Sequence, residues 1–135
     1  MTERAAIETL IKDTYAARCR GDLEGLMSHI HPDGSYRLIG AEQTTEMCME
    51  TCGHDAMRKQ MADLIGAFVF TEVEPLSLVV DGERAAYHWR SKVTFTPNGR
   101  SEVVEILDLV TTADGKIKTV EEFTDTTSIL RLTAA

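Results

Sequence analysis

The first half of the chain carries apolar residues at the spacing of three successive amphipathic helices. Gly21 interrupts the first pattern, and Asp22 has the side chain and position of an N-cap for the second helix. A turn at residues 31–34 ends the second helix, and the third is predicted over His54–Ile65. The apolar positions are Ile7, Leu10, Ile11 and Tyr15 in the first helix, Leu23, Leu26, Met27 and Ile30 in the second, and Met57, Met61, Leu64 and Ile65 in the third.

The second half of the chain alternates between apolar and polar positions, which predicts long strands joined by tight turns. Asp81-Gly82 and Asp114-Gly115 are hairpin signals, and residues 97–99 form a further turn. Residues 40–53 show no clean period and are predicted to be a loop. The predicted strands are Ser35–Ile39, Phe68–Val80, Arg84–Thr96, Glu102–Thr112 and Lys116 to about Ile129.

The order of these elements predicts an α+β fold. Successive hairpins build an antiparallel sheet, and three helices placed before such a meander can cover only one of its faces. The length of 135 residues suits one domain, so residues 1–135 are predicted to be a single domain. Hydrophobic residues make up 43% of the chain and charged residues 27%, which is the range of globular proteins with a real core.

The charge balance and the absence of long apolar runs exclude two classes of partner. The formal net charge is -8, and no run of four or more Lys or Arg residues occurs, so nucleic acid is not expected to bind. The longest apolar stretches are only a few residues, far short of the roughly 20 that a membrane span needs. The polar N-terminus runs straight into a helical pattern, so no signal peptide and a cytoplasmic location are predicted.

The cysteines predict neither a disulfide framework nor a metal site. Cys19, Cys48 and Cys52 are an odd and sparse set, which favours a reducing compartment. The spacing of Cys48, Cys52 and His54 matches no zinc pattern, and a fourth ligand is not evident. We therefore expect no metal and no cofactor.

Four short motifs carry a resemblance to a known family. They are YAARCRGDLEGL (Tyr15–Leu26), HPDGSY (His31–Tyr36), LDLVTTADGKI (Leu107–Ile117) and EEFTDT (Glu121–Thr126). In this order and spacing they resemble the SnoaL-like branch of the nuclear transport factor 2-like superfamily. The resemblance implies a cone-shaped α+β barrel, in which a curved antiparallel sheet wraps around the helices and leaves one apolar pocket.

The resemblance also implies a range of functions. The family includes polyketide cyclases, ketosteroid isomerases and relatives of limonene-epoxide hydrolase and scytalone dehydratase, together with non-enzymatic binding and transport domains. A homodimer is expected from the resemblance, and a sheet with one uncovered face gives a physical reason for it. The fold alone therefore does not decide the activity.

Two aspartates are the candidate acids. In the last strand, Ile117 and Phe123 share a face with Asp125, which predicts that Asp125 points inward. The resemblance places a catalytic acid of the cyclases and epoxide hydrolases at this position. In the preceding strand Asp108 shares a face with three apolar residues, near the position of a protonated acid in the isomerases. These three neighbours are Val104, Ile106 and Val110.

A carboxyl group in an apolar pocket has a raised pKa, and a second carboxyl nearby raises it further. Two such groups can divide acid and base roles in enolisation, aldol cyclisation, dehydration or epoxide opening. The alternative is that Asp108 and Asp125 only hold the sheet together by pairing with a backbone amide or a nearby cation. The cations in reach are Arg90, Lys92 and Lys118.

This chain departs from the known members at their reactive positions. Leu38 stands about where the isomerases carry their general base, and their helix-one tyrosine falls at about Thr14, one residue before Tyr15. The epoxide-hydrolase arginine and second aspartate would fall near Trp89 and Ser91. Neither the ketosteroid-isomerase mechanism nor the epoxide-hydrolase triad is therefore predicted.

His88 is a further candidate, and its role depends on the phase of the strand Arg84–Thr96. If Trp89 faces the pocket, His88 faces outward, toward a dimer interface. If the faces are exchanged, as a β-bulge would do, His88 points into the pocket and could act as a proton shuttle. The predicted pocket-lining residues are Tyr15, Tyr36, Met57, Met61, Trp89, Ile106 and Phe123.

Three functions follow from these observations. The first is a cofactor-independent lyase, isomerase or cyclase acting on a small hydrophobic molecule, with Asp125 as acid or base and Asp108 or His88 assisting. The second is a non-catalytic module that binds a small molecule in the same pocket. The third is a dimeric structural domain whose pocket is filled by its own side chains.

Overall fold

The computed structural model describes residues 3–40 and 50–135, which form four helices and six strands. The predicted loop at residues 40–53 falls mostly on residues 41–49, outside the described residues. In chain order the elements are α1 (Glu3–Cys19), α2 (Leu23–Ser28), β1 (Ile30–Leu38), β2 (Thr51–Cys52), α3 (His54–Ala67), β3 (Phe68–Asp81), β4 (Arg84–Phe95), β5 (Arg100–Ala113), β6 (Lys116–Thr124) and α4 (Thr126–Thr133).

The junction between α1 and α2 is built as its residues predict. Gly21 has a φ of 74°, a left-handed conformation that glycine adopts without strain. The Asp22 side chain accepts a hydrogen bond from the Gly25 backbone N–H at 2.9 Å and so caps α2. Among the described residues, no helix is both long enough and apolar enough to cross a membrane.

The six strands form one curved sheet in the order β2-β1-β6-β5-β4-β3. All neighbouring strands are antiparallel except β1 and β6, which are parallel. The N-terminal helices pack on one face of this sheet, which confirms the α+β prediction. Side chains alternate between the two faces of each strand, so the face toward the helices collects the core.

The structure shows which face of β4 is buried, which the sequence left open, and it agrees with the inward face predicted for Asp108 on β5. On β4 the buried positions include Tyr87, Trp89 and Ser91, and on β5 Asp108 is buried between apolar neighbours on the same face. His88 therefore lies on the outer face, where its Nε2 pairs with the Glu105 carboxylate. This placement does not favour His88 as a proton shuttle in the pocket.

Beyond Ile117, the side chains predicted to face inward on the last strand face outward instead. Thr111 pairs with Thr119, but the next residue of β5, Thr112, pairs with Ile117, which leaves Lys118 as the extra residue of a β-bulge. The bulge exchanges the two faces beyond it. Phe123 is consequently 37% exposed on the outer face, and it does not line the pocket as predicted. The inward side chains after the bulge are Val120, Glu122 and Thr124.

The last strand is also shorter than predicted, because a helix follows it. β6 ends at Thr124, and α4 buries Ser128, Ile129 and Leu132. Asp125 caps this helix: its carboxylate accepts hydrogen bonds from the backbone N–H groups of Thr127 and Ser128. β-Branched residues around the boundary have high strand propensity, and for this reason the strand was predicted to extend to about Ile129.

Candidate functional site

A cavity of about 100 Å³ lies between the helices and the inner face of the sheet. By the same measure one water needs only roughly 10–15 Å³, so the cavity is not filled by the protein's own side chains. Its wall is mostly apolar. Six predicted residues do line it, namely Tyr15, Tyr36, Met57, Met61, Trp89 and Ile106. The polar groups on the wall come from Thr14, Tyr15, Arg18, Tyr36, Trp89, Glu122 and Thr124.

Asp108 is fully buried behind this wall. Its Oδ2 accepts hydrogen bonds from the Tyr15 hydroxyl at 2.6 Å and from the Trp89 indole Nε1 at 3.1 Å. Its Oδ1 is buried and has no donor among the described residues. A buried oxygen without a donor is costly unless the carboxyl itself carries a proton there.

Glu122 supplies the partner for such a proton. It lies directly opposite Asp108 in the register of β5 and β6, and its Oε1 accepts a hydrogen bond from the Tyr36 hydroxyl at 2.9 Å. Burial, followed by the charge of Glu122, raises the pKa of Asp108 well above its usual range, although the bonds from Tyr15 and Trp89 oppose this shift. Burial and the neighbouring Glu122 charge thus favour the protonated form of Asp108.

The two tyrosines beside the pair remain neutral hydrogen-bond donors. Burial raises the pKa of Tyr15 and of Tyr36 well above the usual value, and the neighbouring carboxylates raise it further. The Tyr15 ring also packs edge-on against Tyr87 and Trp89, at centroid distances of 4.8 and 5.7 Å. These contacts hold the Tyr15 hydroxyl on Asp108.

Arg18 brings a positive charge to the same cavity. Its Nη2 donates to the carbonyl oxygens of Leu64 and Phe68, each at 3.1 Å, and its guanidinium carbon lies 4.4 Å from the centre of the Phe70 ring. Burial lowers the pKa of Arg18, and the charge of Glu122 partly opposes this. An arginine nevertheless stays protonated in proteins.

The predicted candidate Asp125 lies outside the cavity. It is exposed, and its Oδ2 also accepts a hydrogen bond from the Ser128 hydroxyl at 2.9 Å. These bonds lower the pKa of Asp125, the opposite of the shift expected for an acid in an apolar pocket. The inward orientation predicted for Asp125 is thus corrected to a helix cap.

The two charged residues of the cavity, Glu122 and Arg18, were not predicted from the sequence. Glu122 follows another glutamate, Glu121, so alternation alone assigns one of the two to each face, and the bulge at Lys118 reverses the assignment. Arg18 lies four residues after Thr14 and three after Tyr15, on the buried side of α1, and this helical spacing was the available signal.

Within residues 3–40 and 50–135, no three side chains of the His, Cys, Asp or Glu type are grouped so that they could hold a metal ion. Cys48, one of the residues considered for such a site, lies outside the described residues.

Comparisons with known proteins agree with this architecture. The family model described as a SnoaL-like domain matches residues 11–120. An NTF2-like protein of unknown function from Burkholderia pseudomallei is 23% identical and superposes with a TM-score of 0.82, with 100% of both chains covered. A search of the curated proteins gave no match.

Two further solved structures carry more specific descriptions. TerC, co-crystallised with polyporic acid, is 22% identical, with a TM-score of 0.80 over 96% of this chain and 98% of that chain. An LEH-like epoxide hydrolase from M. tuberculosis is 14% identical, with a TM-score of 0.78 over 96% of this chain and 90% of that chain. At these identities the comparisons establish a shared NTF2-like fold.

Proposed function

Because the chain belongs to the SnoaL-like domain family, we propose that it is an enzyme that moves a proton on a small hydrophobic molecule, as isomerases, cyclases and lyases do. The observation that carries this proposal is the pairing of Asp108 with Glu122 at an apolar cavity. Two carboxyls that share one proton offer a base and an acid side by side. The side chains present are sufficient for this chemistry.

Glu122 is the proposed catalytic residue, because its side chain lines the cavity and Asp108 does not. Its carboxylate takes a proton from a carbon next to a carbonyl group of the ligand. The C–H electron pair becomes the new C=C bond, and the carbonyl π pair moves to oxygen. The oxyanion then reforms the carbonyl group. In a dienolate the displaced π pair takes the Glu122 proton at the γ-carbon; where a β-hydroxyl group is present, that pair forms the Cα=Cβ bond, and the hydroxyl leaves with its C–O pair and the Glu122 proton as water. Either route restores the carboxylate.

Asp108 is the proposed positioning residue of the pair. Burial and the Glu122 charge favour the protonated form of Asp108, so the two carboxyls can lie together in an apolar site without two full negative charges. The Tyr36 hydroxyl holds the Glu122 carboxylate in place. Tyr15 and Tyr36 also line the cavity, so the residues that hold the carboxyl pair border the space in which the ligand would lie.

Deuterium exchange tests the proposal without knowledge of the natural substrate. A panel of bicyclic ketones with acidic α-hydrogens, 2-tetralone first, is incubated with the protein in D₂O, and deuterium uptake is measured by mass spectrometry against buffer alone. The wild-type protein should accelerate uptake. Glu122→Gln should lower the rate by about 10²–10⁴-fold, the usual contribution of a general base.

The matched control is Glu121→Gln, because Glu121 is the adjacent glutamate and faces outward in an ion pair with Arg37. This variant should keep the wild-type exchange rate. Equal losses in both variants would reject Glu122 as the base. Tight binding of the ketones without any exchange would instead favour the non-catalytic binding function, for which the ligand-bound TerC structure is a precedent of the same fold.

The proposal extends to a homodimer formed through the outer face of the sheet. That face exposes large apolar side chains on its central strands, including Leu107, Leu109 and Phe123. Apolar side chains clustered on one sheet face favour burial against a second copy. The open cavity argues against the third function considered above, a structural domain with a filled pocket.

A further inference from the structure

Arg18 is the one cation among the described residues that line the cavity, and Glu122 is the one carboxylate. The structure gives no ion pair between these two described residues. The Arg18 guanidinium therefore meets an apolar wall and two backbone carbonyls rather than a counter-ion. Arg18 is largely withdrawn from water, and the Glu122 charge acts on it without a direct ion pair, so its desolvation is only partly compensated.

Arg18 uses only some of its donors in bonds to the protein. A guanidinium has five N–H donors, and the two carbonyl bonds of Arg18 both come from Nη2. The donors on Nε and Nη1 have no acceptor within the described part of the chain. The carbonyl bonds and the Phe70 ring fix the guanidinium plane, so these donors are held in place before any ligand binds.

We propose that Arg18 binds a carboxylate of the ligand, so that the cavity takes a hydrophobic, largely aromatic monocarboxylic acid. A carboxylate supplies both the missing counter-charge and the missing acceptors in one planar group. A single guanidinium balances one negative charge, which matches a carboxylate better than a phosphate of nearly two charges. The apolar wall and the ring of Phe70 receive the rest of the molecule.

This inference rests on the proposed function only in placing the ligand in the same cavity, and it names the substrate class. The carboxylate binds at Arg18, and the reacting carbon lies at Glu122. Since Glu122 is negative, it repels a carboxylate placed at its own end of the cavity. The two charges therefore set the direction in which the ligand enters.

Isothermal titration calorimetry at pH 7 tests the inference with two matched pairs of probes, cinnamate against cinnamamide and 2-naphthoate against 2-naphthamide. Each amide has the shape of its acid without the charge. The wild-type protein should bind each acid at least about tenfold more tightly than its amide, as expected for a desolvated charge-assisted hydrogen bond. Arg18→Gln should abolish this preference and leave the affinity for the amides nearly unchanged.

Arg20→Gln is the control variant, because Arg20 follows Arg18 closely in the chain but is exposed and paired with Asp22. It should keep the preference for the acids. Should Arg18→Gln fold poorly, the wild-type comparison of acid with amide still decides, and Glu122→Gln should strengthen acid binding by removing the opposing charge. Equal affinities, a preference for the amides, or no binding of any probe would overturn the inference.

The outcomes separate this inference from the proposed function. A preference for acids in a protein that exchanges no deuterium would uphold the carboxylate site and reject the catalytic proposal. Deuterium exchange of neutral ketones by a protein that shows no preference for acids would uphold the catalytic proposal and reject the carboxylate site. A purely structural role of Arg18, tying α1 to α3 and β3, predicts lower stability in Arg18→Gln and no preference in the wild type.

Discussion

Asp108 on β5 and Glu122 on β6 are direct partners in the antiparallel register, and both lie on the face of the sheet that holds the cavity. Each is hydrogen-bonded by a tyrosine from a different element, Asp108 by Tyr15 of α1 and Glu122 by Tyr36 of β1. The pair is therefore held from both sides, while the buried Oδ1 of Asp108 has no donor among the described residues.

Asp108→Asn should change how stability depends on pH. The folded-state pKa of Asp108 is raised, so the unfolded state loses this proton first, and wild-type stability falls as pH rises from about 4 toward the folded pKa. Asparagine keeps the shape of the protonated acid without the titration. The free energy of unfolding of the variant, relative to that of the wild type, should rise by about 1.4 kcal/mol for each pH unit in that window.

Urea unfolding at a series of pH values between 4 and 9 measures this gain. Glu121→Gln serves as the control, because Glu121 faces away from the cavity, and it should keep the wild-type slope. A constant difference between Asp108→Asn and the wild type over the whole range would mean that Asp108 is ionised in the folded protein.

Tyr15→Phe should raise the pKa of Asp108 further. The Tyr15 hydroxyl donates to the carboxyl and favours its ionised form, so its removal leaves Trp89 as the donor to Oδ2. The loss of one buried hydrogen bond should also lower the free energy of unfolding by about 1 kcal/mol. A ¹³C NMR titration of the aspartate Cγ measures the pKa.

Tyr87→Phe is the matched control, since Tyr87 packs against the Tyr15 ring but gives Asp108 no hydrogen bond. It should leave the Asp108 titration close to that of the wild type. A lower Asp108 pKa in Tyr15→Phe would contradict the bond geometry described here.

Asp125→Ala should weaken the fold without affecting the cavity. The cap bonds lower the pKa of Asp125, so its stabilising contribution is present above the unfolded pKa and is lost as pH falls through the folded pKa. The variant should have a lower Tm at pH 7, with the difference shrinking near pH 2. Its rate of deuterium exchange should equal that of the wild type at a temperature where both are folded. A folded variant that exchanges no deuterium would restore Asp125 as the acid.

Leu107→Glu should disrupt the proposed dimer. Leu107 pairs with Phe123 across β5 and β6 on the outer face, so a charge there would have to be buried against the partner copy. Light scattering after size exclusion should give twice the monomer mass of 15.0 kDa for the wild type and the monomer mass for the variant. Leu130→Glu, on the exposed side of α4, should remain dimeric. A monomeric wild type at micromolar concentration would reject the dimer.

The local pattern of the sequence was sufficient for much of the fold. Helical spacing identified α1, α2 and α3, and the turn residues identified the hairpins, because both depend on residues close together in the chain. The turn predicted at residues 31–34 was wrong, since these residues and Ile30 belong to β1. Strict alternation on β5 also gave the correct inward face, including that of Asp108, whereas on β4 alternation left two phases open and the structure buries Trp89. The pocket residues of the helices followed from the same periodicity, as Met57 and Met61 illustrate.

Tertiary structure decided which groups of β6 and α1 meet in the cavity. The inward face of β6 depends on the bulge at Lys118, and a bulge is a property of two paired strands rather than of one strand's alternation. The end of β6 depends on whether Asp125 can cap a helix that buries Ile129 and Leu132, which local propensity alone opposes. The sequence by itself therefore determined the scaffold and Asp108, whereas the packing of distant strands and helices brought Glu122 and Arg18 to the same cavity.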